Sequence, residues 1–211
     1  MTELTTEPAR AETRIQAKNR AAILEAALTA FSEKGFRGAT VEEIAQSAGL
    51  SKPNLLYYFP SKAAIYEALL AGLLDTWLAP LRAMDPAGDP LDELRTYLLR
   101  KLDMSREMPR QSRLFANEVM AGAPVIGATL STDLRALVDE KAGVIAAWAA
   151  EGRIASVDAH HLLFSIWAVT QHYADFDAQV TAVLGTRAAR RFDEAAATLE
   201  ALFLNGLTPR D

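Results

Sequence analysis

Five side chains in one short stretch of the chain have the chemistry needed to bind a nucleic acid. Lys52 and Lys62 can neutralise phosphates, and the amide of Asn54 can donate and accept hydrogen bonds at the edge of a base. Tyr57 and Tyr58 add two hydroxyl groups. Because Asn54, Tyr57 and Tyr58 share one side of a helix, the stretch is predicted to present a polar, aromatic face to double-stranded DNA.

The elements that would hold this face are two short helices joined by a tight turn. Thr40 and Glu43 form a capping box, which predicts that the first helix begins at residue 41. Gly49 ends that helix, because glycine tolerates the left-handed conformation found at helix C-termini. Ser51 caps the second helix, and Pro53 fits its first turn, where a missing N–H costs nothing. The result is a helix-turn-helix, in which the second helix enters the major groove.

An ordinary helical hairpin with solvated lysines is the alternative, and the distribution of charge bears on it. The net charge is −5, but residues 1–62 hold eight Lys or Arg and seven Asp or Glu, whereas residues 63–211 hold fourteen and twenty. The acidic excess therefore belongs to the second part of the chain. Since nonspecific affinity for DNA comes from phosphate neutralisation, this protein needs a local basic face, presented twice by a dimer.

The first residues form a separate region. Residues 1–12 lack hydrophobic periodicity and are predicted to be a disordered arm. Four basic residues there and just beyond could enter a minor groove, or the arm could remain solvated: Arg10, Arg14, Lys18 and Arg20.

Residue patterns typical of catalysis or metal binding are lacking in the sequence. It has no cysteine, which excludes disulfides and thiolate ligands and suits a cytoplasmic protein. His161 and His172 would lie roughly 16 Å apart along a helix, too far to share a metal ion. A glycine-rich phosphate loop and the common hydrolase motifs are also missing. Neither an enzyme, nor a cofactor, nor a metal site is expected.

The composition predicts a globular protein without a membrane partner. Half of the residues are hydrophobic, which is enough for a sizeable core in one or two domains. The longest apolar runs, at 144–150 and 162–169, are shorter than the ~18 residues of a membrane span. The polar N-terminus with Glu3, Glu7 and Glu12 does not resemble a signal peptide. A cytoplasmic location is therefore expected.

Hydrophobic periodicity predicts helices along the whole remaining chain, separated by Gly and Pro breakers. The two short helices lie near residues 41–48 and 51–59. The other predicted helices cover residues 13–34, 62–82, 90–107, 110–121, a stretch ending near 150, 158–177 and 187–205. No stretch has the alternation of a strand. The sequence thus predicts an all-α fold of nine helices, with three in a small N-terminal domain and six in a larger body.

The helix at 158–177 is apolar nearly all round, so it must be covered on two sides. One face, together with the last helix, suits a four-helix interface between two copies, through Leu162, Ile166, Val169, Tyr173, Phe192, Leu199 and Phe203. The other face carries Trp167 and Gln171, with Phe164 beside them. An amide beside aromatic rings can bind a flat, lactam-like heterocycle, although a core of large aromatics with a satisfied Gln is the simpler interpretation.

The segment from residue 21 to residue 67 resembles the TetR family of transcriptional regulators. The resemblance lies in Ala39-Thr40-Val41-Glu42-Glu43-Ile44-Ala45, Gly49-Leu50-Ser51 and Tyr57-Tyr58-Phe59-Pro60-Ser61-Lys62. It implies that Thr40, Tyr58 and Lys62 hold phosphates and that Lys52, Asn54 and Tyr57 lie at or near base edges. One departure is Leu56, where many members have a phosphate-binding tyrosine. The candidate DNA-binding residues are therefore Thr40, Ser51, Lys52, Pro53, Asn54, Tyr57, Tyr58 and Lys62.

The larger part of the chain is similar to those TetR-type regulators that control pyrimidine utilisation and respond to uracil and thymine. This resemblance lies in Trp77-Leu78-Ala79-Pro80-Leu81, Ala121-Gly122-Ala123-Pro124, Asp139-Glu140-Lys141 and Thr170-Gln171-His172-Tyr173-Ala174-Asp175-Phe176. It fades after about residue 184. By position it implies effector contacts from Trp77 and Gln171, with Trp167, Lys101, Asn117 and Glu118 as further candidates.

These observations together predict a ligand-responsive regulator that binds a palindromic operator as a homodimer. The expected organisation is an arm at residues 1–12, a helix-turn-helix DNA-binding domain at 13–61, and an effector-binding and dimerisation domain at 62–211. A pyrimidine such as uracil is the expected effector. The alternatives are a regulator that senses another small heterocycle or amide, and a helical ligand-binding scaffold that does not bind DNA.

Overall fold

The computed structural model describes residues 13–209, and in that part of the chain every regular element is a helix. The chain forms two compact units, Met1–Leu69 and Leu70–Asp211. The predicted arm at residues 1–12 lies outside the described residues.

The first unit contains α1 (Arg14–Gly38), α2 (Val41–Ser47), α3 (Lys52–Tyr58) and the beginning of α4 (Lys62–Arg82). Both predicted caps of the helix-turn-helix are confirmed: the Thr40 capping box opens α2, and the Ser51 hydroxyl accepts a hydrogen bond from the Asn54 N–H. Gly49 has a φ of +71°, which ends α2 as expected. Gly35, with a φ of +69°, interrupts α1 where the sequence predicted its end.

A small apolar core fixes the position of α3. Leu55 and Phe59 are buried on its inner side, and Ile44 and Ala45 of α2 are buried as well. Because these side chains are removed from water, the opposite side of α3 must remain at the surface.

The second unit consists of the rest of α4 and five further helices. These are α5 (Pro90–Glu107), α6 (Pro109–Met120), α7 at residues 127–150, α8 (Ala159–Asp175) and α9 (Arg191–Leu207). α7 combines a helical turn (Gly127–Thr129), a π-helical segment (Leu130–Leu134) and a regular helix (Arg135–Ala150). With α7 counted as one helix, and the short helix at Asp177–Leu184 counted as a continuation of α8, the described residues have the predicted nine.

α8 bends at Phe176 and continues as a short helix, Asp177–Leu184, and a 3₁₀ turn, Gly185–Arg190, leads into α9. The sequence pattern indicated neither the continuation nor the turn. Hydrogen bonds from the Phe176 N–H to the His172 carbonyl and from the Val180 N–H to the Phe176 carbonyl, each 3.0 Å, carry the helix through the bend.

α5 lies at the centre of the second unit, packed against α8 and α9, while α6 packs against α8. The core of the second unit includes Leu94, Leu98, Ile145, Leu163 and Ile166. Trp148 donates its ring N–H to the Pro86 carbonyl at 3.0 Å, which ties the α4–α5 connection to α7.

One helix, α4, passes a hydropathy test that the uninterrupted apolar runs of the sequence do not. α4 contains an 18-residue window with a mean hydropathy of 1.3, long and apolar enough for a membrane span by length and composition. Half of that window is buried inside the protein, and core helices of globular proteins have the same composition.

Candidate functional site

The exposed side of α3 is the candidate DNA-binding surface. Pro53 and Asn54 are exposed, and Tyr57 has 72% of its surface accessible, although tyrosine is typically of intermediate burial. The side chain of Asn54 forms no intramolecular hydrogen bond in the described part of the chain, so both its donor and its acceptor can meet a base. Ser51, which caps α3, is exposed at the end of the same surface.

The two tyrosines of α3 are oriented by α1. Asn19 donates a hydrogen bond to the hydroxyl of Tyr58 at 2.9 Å, and Gln16 donates to that of Tyr57 at 3.5 Å. The tyrosine rings meet edge to face, with centroids 5.2 Å apart. Since each hydroxyl accepts in these bonds, its own proton remains available for a phosphate oxygen.

Lys52 is paired with Glu42 of α2 in an exposed ion pair. The hydrogen bond from Lys52 lowers the pKa of the Glu42 carboxyl, which therefore stays ionised at neutral pH. A phosphate or base that binds Lys52 must compete with this carboxylate, and an exposed pair of this kind is weak enough to exchange.

Lys62 has a structural contact that the sequence did not indicate. Its ammonium donates to the carbonyl of Ala39 at 2.9 Å and lies 4.7 Å from the ring centroid of Phe36. This bond ties the first turn of α4 to the residue before Thr40, whose hydroxyl is used in the α2 cap. An ammonium has three donors, so Lys62 can hold this carbonyl and still reach a phosphate.

A cavity of about 220 Å³ in the second unit is the candidate effector site. Residues of α4, α5, α6, α7 and α8 line it. The residues that line it are Leu74, Trp77, Leu78, Tyr97, Lys101, Phe115, Val119, Leu130, Leu134, Trp167 and Gln171. Four of the six predicted effector residues therefore meet here, and aromatic or aliphatic side chains form most of the wall.

Few polar groups face this cavity. Lys101 is only 5% exposed, and burial lowers its pKa to about 8. Trp167 donates its ring N–H to the Tyr97 hydroxyl at 2.5 Å, and burial raises the pKa of Tyr97 to about 12, so the phenol is neutral. Gln171, half-buried, adds one amide.

Two predicted effector residues do not line the cavity. Asn117 lies on the exposed side of α6. Glu118 is buried, but one of its carboxylate oxygens accepts hydrogen bonds from the N–H groups of Val125 at 2.6 Å and Ile126 at 3.3 Å. Its role is to hold the connection between α6 and α7, because a buried carboxylate needs donors. Phe164, expected beside the ligand, is exposed.

Tyr97 and Phe115 line the cavity although the sequence analysis did not select them. Tyr97 precedes Lys101 by four residues on α5, so helical periodicity places both on one side. Phe115 packs on Trp77 with ring centroids 5.1 Å apart. The periodicity of α5 could have identified Tyr97, whereas the contact of Phe115 depends on how α6 packs.

Two family models match the chain. Residues 23–69 match the one described as bacterial regulatory proteins, tetR family, and residues 70–210 match the one described as YcdC-like protein, C-terminal region. The chain belongs to the TetR family. Membership of this family, predicted from the sequence motifs, is thereby confirmed, as is the all-α fold.

Individual TetR-family proteins are similar over nearly the whole chain. The helix-turn-helix-type transcriptional regulator RutR of Escherichia coli strain K12 is 48% identical over 198 residues, which are 93% of each chain. A TetR-like transcriptional regulator from Rhodococcus sp. RHA1 has a TM-score of 0.66 at 23% identity, covering 92% of this chain and 97% of its own. The structure of the ketosteroid transcriptional regulator KstR2 of Mycobacterium tuberculosis has a TM-score of 0.69 at 22% sequence identity. The match covers 90% of this chain and 95% of KstR2. Both structures show the fold alone.

This TetR-family protein is a ligand-responsive transcriptional regulator and not an enzyme, as the sequence predicted. Proteins of the family bind operator DNA as dimers and respond to small molecules. In the part of the chain that the structure describes, no three His, Asp or Glu side chains come together as metal ligands.

The predicted dimer residues of this TetR-family chain need correction. Leu162, Ile166 and Leu199 are buried in the core of a single subunit, so a second copy cannot cover them. The other four, Val169, Tyr173, Phe192 and Phe203, are half-buried against the same core. The apolar side chains that α8, its continuation and α9 leave at the surface are Phe164, Phe176, Val183 and Leu202.

Proposed function

We propose that two copies of this chain bind a palindromic operator and repress transcription until a pyrimidine such as uracil occupies the cavity of each copy. In this proposal residues 13–61 bind DNA, whereas residues 62–211 bind the effector and hold the dimer together. The two α3 helices would lie about 34–36 Å apart, so that each enters one of two successive major grooves. Operator binding implies a cytoplasmic location.

The exposed face of α3 supports the DNA-binding part of the proposal. Asn54 offers an unused donor and acceptor for a base edge, and the Tyr57 and Tyr58 hydroxyls can donate to phosphates. Lys52 and Lys62 supply positive charge at the ends of that face. Each is engaged by a weak or shareable contact, so binding DNA requires no refolding of the unit.

The observation that carries the effector assignment is the convergence of Trp77, Lys101, Trp167 and Gln171 on one small cavity. Its volume of about 220 Å³ is below the roughly 300–1,000 Å³ of sites for drug-sized ligands, which favours a single ring. Indole rings can stack on a flat heterocycle, and an amide can pair with its lactam edge. The resemblance of the sequence to regulators of pyrimidine utilisation, together with the 48% identity to the transcriptional regulator RutR, supports a pyrimidine as this ring.

The proposed route of release runs through α4. The helix is continuous from Lys62 to Arg82, its first part belongs to the DNA-binding unit, and Leu74, Trp77 and Leu78 line the cavity. A ligand that binds more tightly when α4 has one of two placements favours that placement. Because α4 is one continuous helix, its N-terminal part moves with it. Only such a difference in affinity can change operator binding, because a ligand that binds both states equally shifts neither.

The test is release of DNA from the full-length protein. A fluorescent duplex, selected by the purified protein from random sequence, is bound and then titrated with uracil while anisotropy is recorded. Wild type should release the duplex, whereas Gln171→Ala should bind the same duplex with unchanged affinity and lose the response. Asn117→Ala, which removes an exposed amide outside the cavity, is the control and should respond like wild type.

Two results would contradict the proposal. If Gln171→Ala releases the duplex at the wild-type concentration of uracil, the cavity is not the effector site. If uracil leaves the wild-type complex intact but another heterocycle or amide from a thermal-shift panel releases it, the protein regulates a different pathway.

A further inference from the structure

Lys101 is a buried cation to which the described residues offer neither a hydrogen-bond acceptor nor a carboxylate. Among those residues, its one electrostatic contact is a cation–π contact with Trp77, with the ammonium nitrogen 5.8 Å from the ring centroid. Lys141, equally buried, donates to the Met84 carbonyl at 3.2 Å and pairs with Glu140 at 3.1 Å. Buried charges in proteins are normally paired, so the arrangement around Lys101 lacks an anion or a strong acceptor.

Lys101 is the one charged residue among those that line the cavity, and several charged groups on the neighbouring helices have partners elsewhere. Asp75 of α4 pairs with Arg82 at 2.6 Å, and Glu118 of α6 binds backbone N–H groups. Asp175 of α8 accepts from Ser112 at 2.7 Å. The further charged groups near these helices are Asp103 and Arg106, paired on α5, Arg113 on α6, Asp133 and Arg135 on α7, and His172 on α8. None of them lines the cavity, so a ligand that carries an acceptor oxygen would give this ammonium a partner that the described residues do not provide.

The other polar groups of the cavity also favour a ligand rich in acceptors. Tyr97 accepts the Trp167 N–H, so the phenol proton is left to donate. The amide of Gln171 adds two N–H donors and one carbonyl acceptor. With the ammonium of Lys101 included, the polar groups of the cavity offer more hydrogen-bond donors than acceptors. A ring with two carbonyl groups and an intervening N–H therefore satisfies more of these donors than a ring with amino groups.

We propose that Lys101 is the specificity-determining charge of this cavity, and that it selects cyclic imides by how readily their oxygens take on negative charge. This inference takes its ligand class from the proposed function. It adds that affinity within this class should rise with the acidity of the imide N–H. Thymine and uracil contain the imide group and differ little in acidity. 5-Fluorouracil and 5-nitrouracil have progressively more acidic N–H groups, whereas cytosine carries an amino group in place of one carbonyl.

The experiment is calorimetric titration of the full-length protein near neutral pH with these five rings. In wild type, affinity should rise by at least about tenfold from thymine to 5-nitrouracil, and cytosine should bind at least about tenfold more weakly than uracil. Lys101→Met keeps the length of the side chain and removes its charge, so the four imides should then agree within about threefold. Arg100→Met removes the same charge from the adjacent position outside this cavity and should preserve the wild-type order.

The outcomes separate the inference from the function. If uracil binds but the ranking is flat, or is the same in Lys101→Met, or if cytosine equals uracil, the role of Lys101 is overturned and the pyrimidine function stands. If the uracils fail to bind while the imides succinimide or glutarimide bind in a manner that Lys101→Met abolishes, the pyrimidine function is wrong and the role of Lys101 stands. If no imide binds wild type, both are wrong. Thermal unfolding of each variant confirms that it is folded.

Discussion

At the scale of single residues, Asn54 is the side chain best placed to read sequence. Its amide is exposed in the middle of α3 and forms no intramolecular hydrogen bond within the described chain. Asn54→Ala should therefore weaken binding to the selected operator by about 1–3 kcal/mol while binding to random duplex changes little. Competition anisotropy with both duplexes measures the ratio, and Asn117→Ala serves as the control. Equal weakening of both duplexes would show that Asn54 does not read bases.

The ion pair between Lys52 and Glu42 leads to a prediction of stronger, not weaker, DNA binding. Glu42→Gln frees the ammonium and removes a negative charge from the surface that faces phosphates. Binding to random duplex should strengthen several-fold, and the slope of log affinity against log salt should steepen by up to about 0.9 for the phosphate gained. Glu107→Gln removes the same charge from the second unit and should change neither quantity. An unchanged slope in Glu42→Gln would mean that Lys52 makes no phosphate contact.

Lys101 also predicts a pH-dependent stability. Its pKa is lowered from 10.5 to about 8 in the folded protein, so between these values the unfolded chain binds more protons. Wild type should gain stability as pH rises from about 8 to about 10.5. Lys101→Met should raise the free energy of unfolding by about 3 kcal/mol at neutral pH, and that advantage should shrink over the same window. Urea titrations at several pH values test this; an advantage independent of pH would contradict it.

Residue contacts could be predicted from the sequence only where they are local. The Thr40 capping box and the Ser51 cap each join residues three apart, so spacing alone identified them. Lys62 and Ala39 are 23 positions apart, and Trp167 and Tyr97 are 70 apart. The partners in those bonds are determined by packing, and the sequence pattern could not supply them.

At the scale of elements, α6 is a wall of the cavity that is fastened at both ends. Ser112 donates to Asp175 of α8 at 2.7 Å near its start, and Glu118 binds the following loop near its end. Phe115 and Val119, between these points, line the cavity. The position of α6 therefore determines the shape of the site.

Ser112→Ala should loosen this wall. It leaves the half-buried carboxylate of Asp175 without its donor, at a cost of about 1–3 kcal/mol in stability. Uracil affinity should fall and amide hydrogen exchange in α6 should accelerate, while operator binding without ligand stays close to wild type. Ser131→Ala, which alters an exposed hydroxyl on α7, is the control. Loss of operator binding together with uracil binding would instead indicate general unfolding.

The faces of α8 show why periodicity could not resolve the second unit. The helix is apolar nearly all round, so the sequence indicated two covered sides but not which neighbour covers each. Leu162 and Ile166, expected at a dimer interface, are buried against α5 and other core elements of the same subunit. The π-helical segment of α7 and the bend at Phe176 likewise depend on packing. Most helices and the caps of α2 and α3 follow from local chemistry, whereas the short helix after Phe176 and the choice of packing partners do not.

At the scale of the whole molecule, the uneven distribution of charged residues along the chain implies a low affinity for nonspecific DNA. The second part of the chain carries fourteen basic against twenty acidic residues, and the first part is nearly balanced. One copy therefore has few phosphate contacts to offer, and tight operator binding depends on two copies acting together, since each half-site adds its contacts to the other's.

The surface that joins those copies is predicted from the apolar side chains left exposed by α8, its continuation and α9. Phe176 is 55% exposed and Leu202 is 65% exposed, and such side chains on the helices of a TetR-family body are best explained by a covering partner. Leu202→Glu should place like charges opposite each other at a two-fold interface and yield monomers in sedimentation velocity. Operator binding should then fall far more than uracil binding, because the cavity lies within one subunit. Met120→Glu, at an apolar position on α6 that is 75% exposed, should remain dimeric. If Leu202→Glu also remains dimeric and binds operator normally, the interface lies elsewhere.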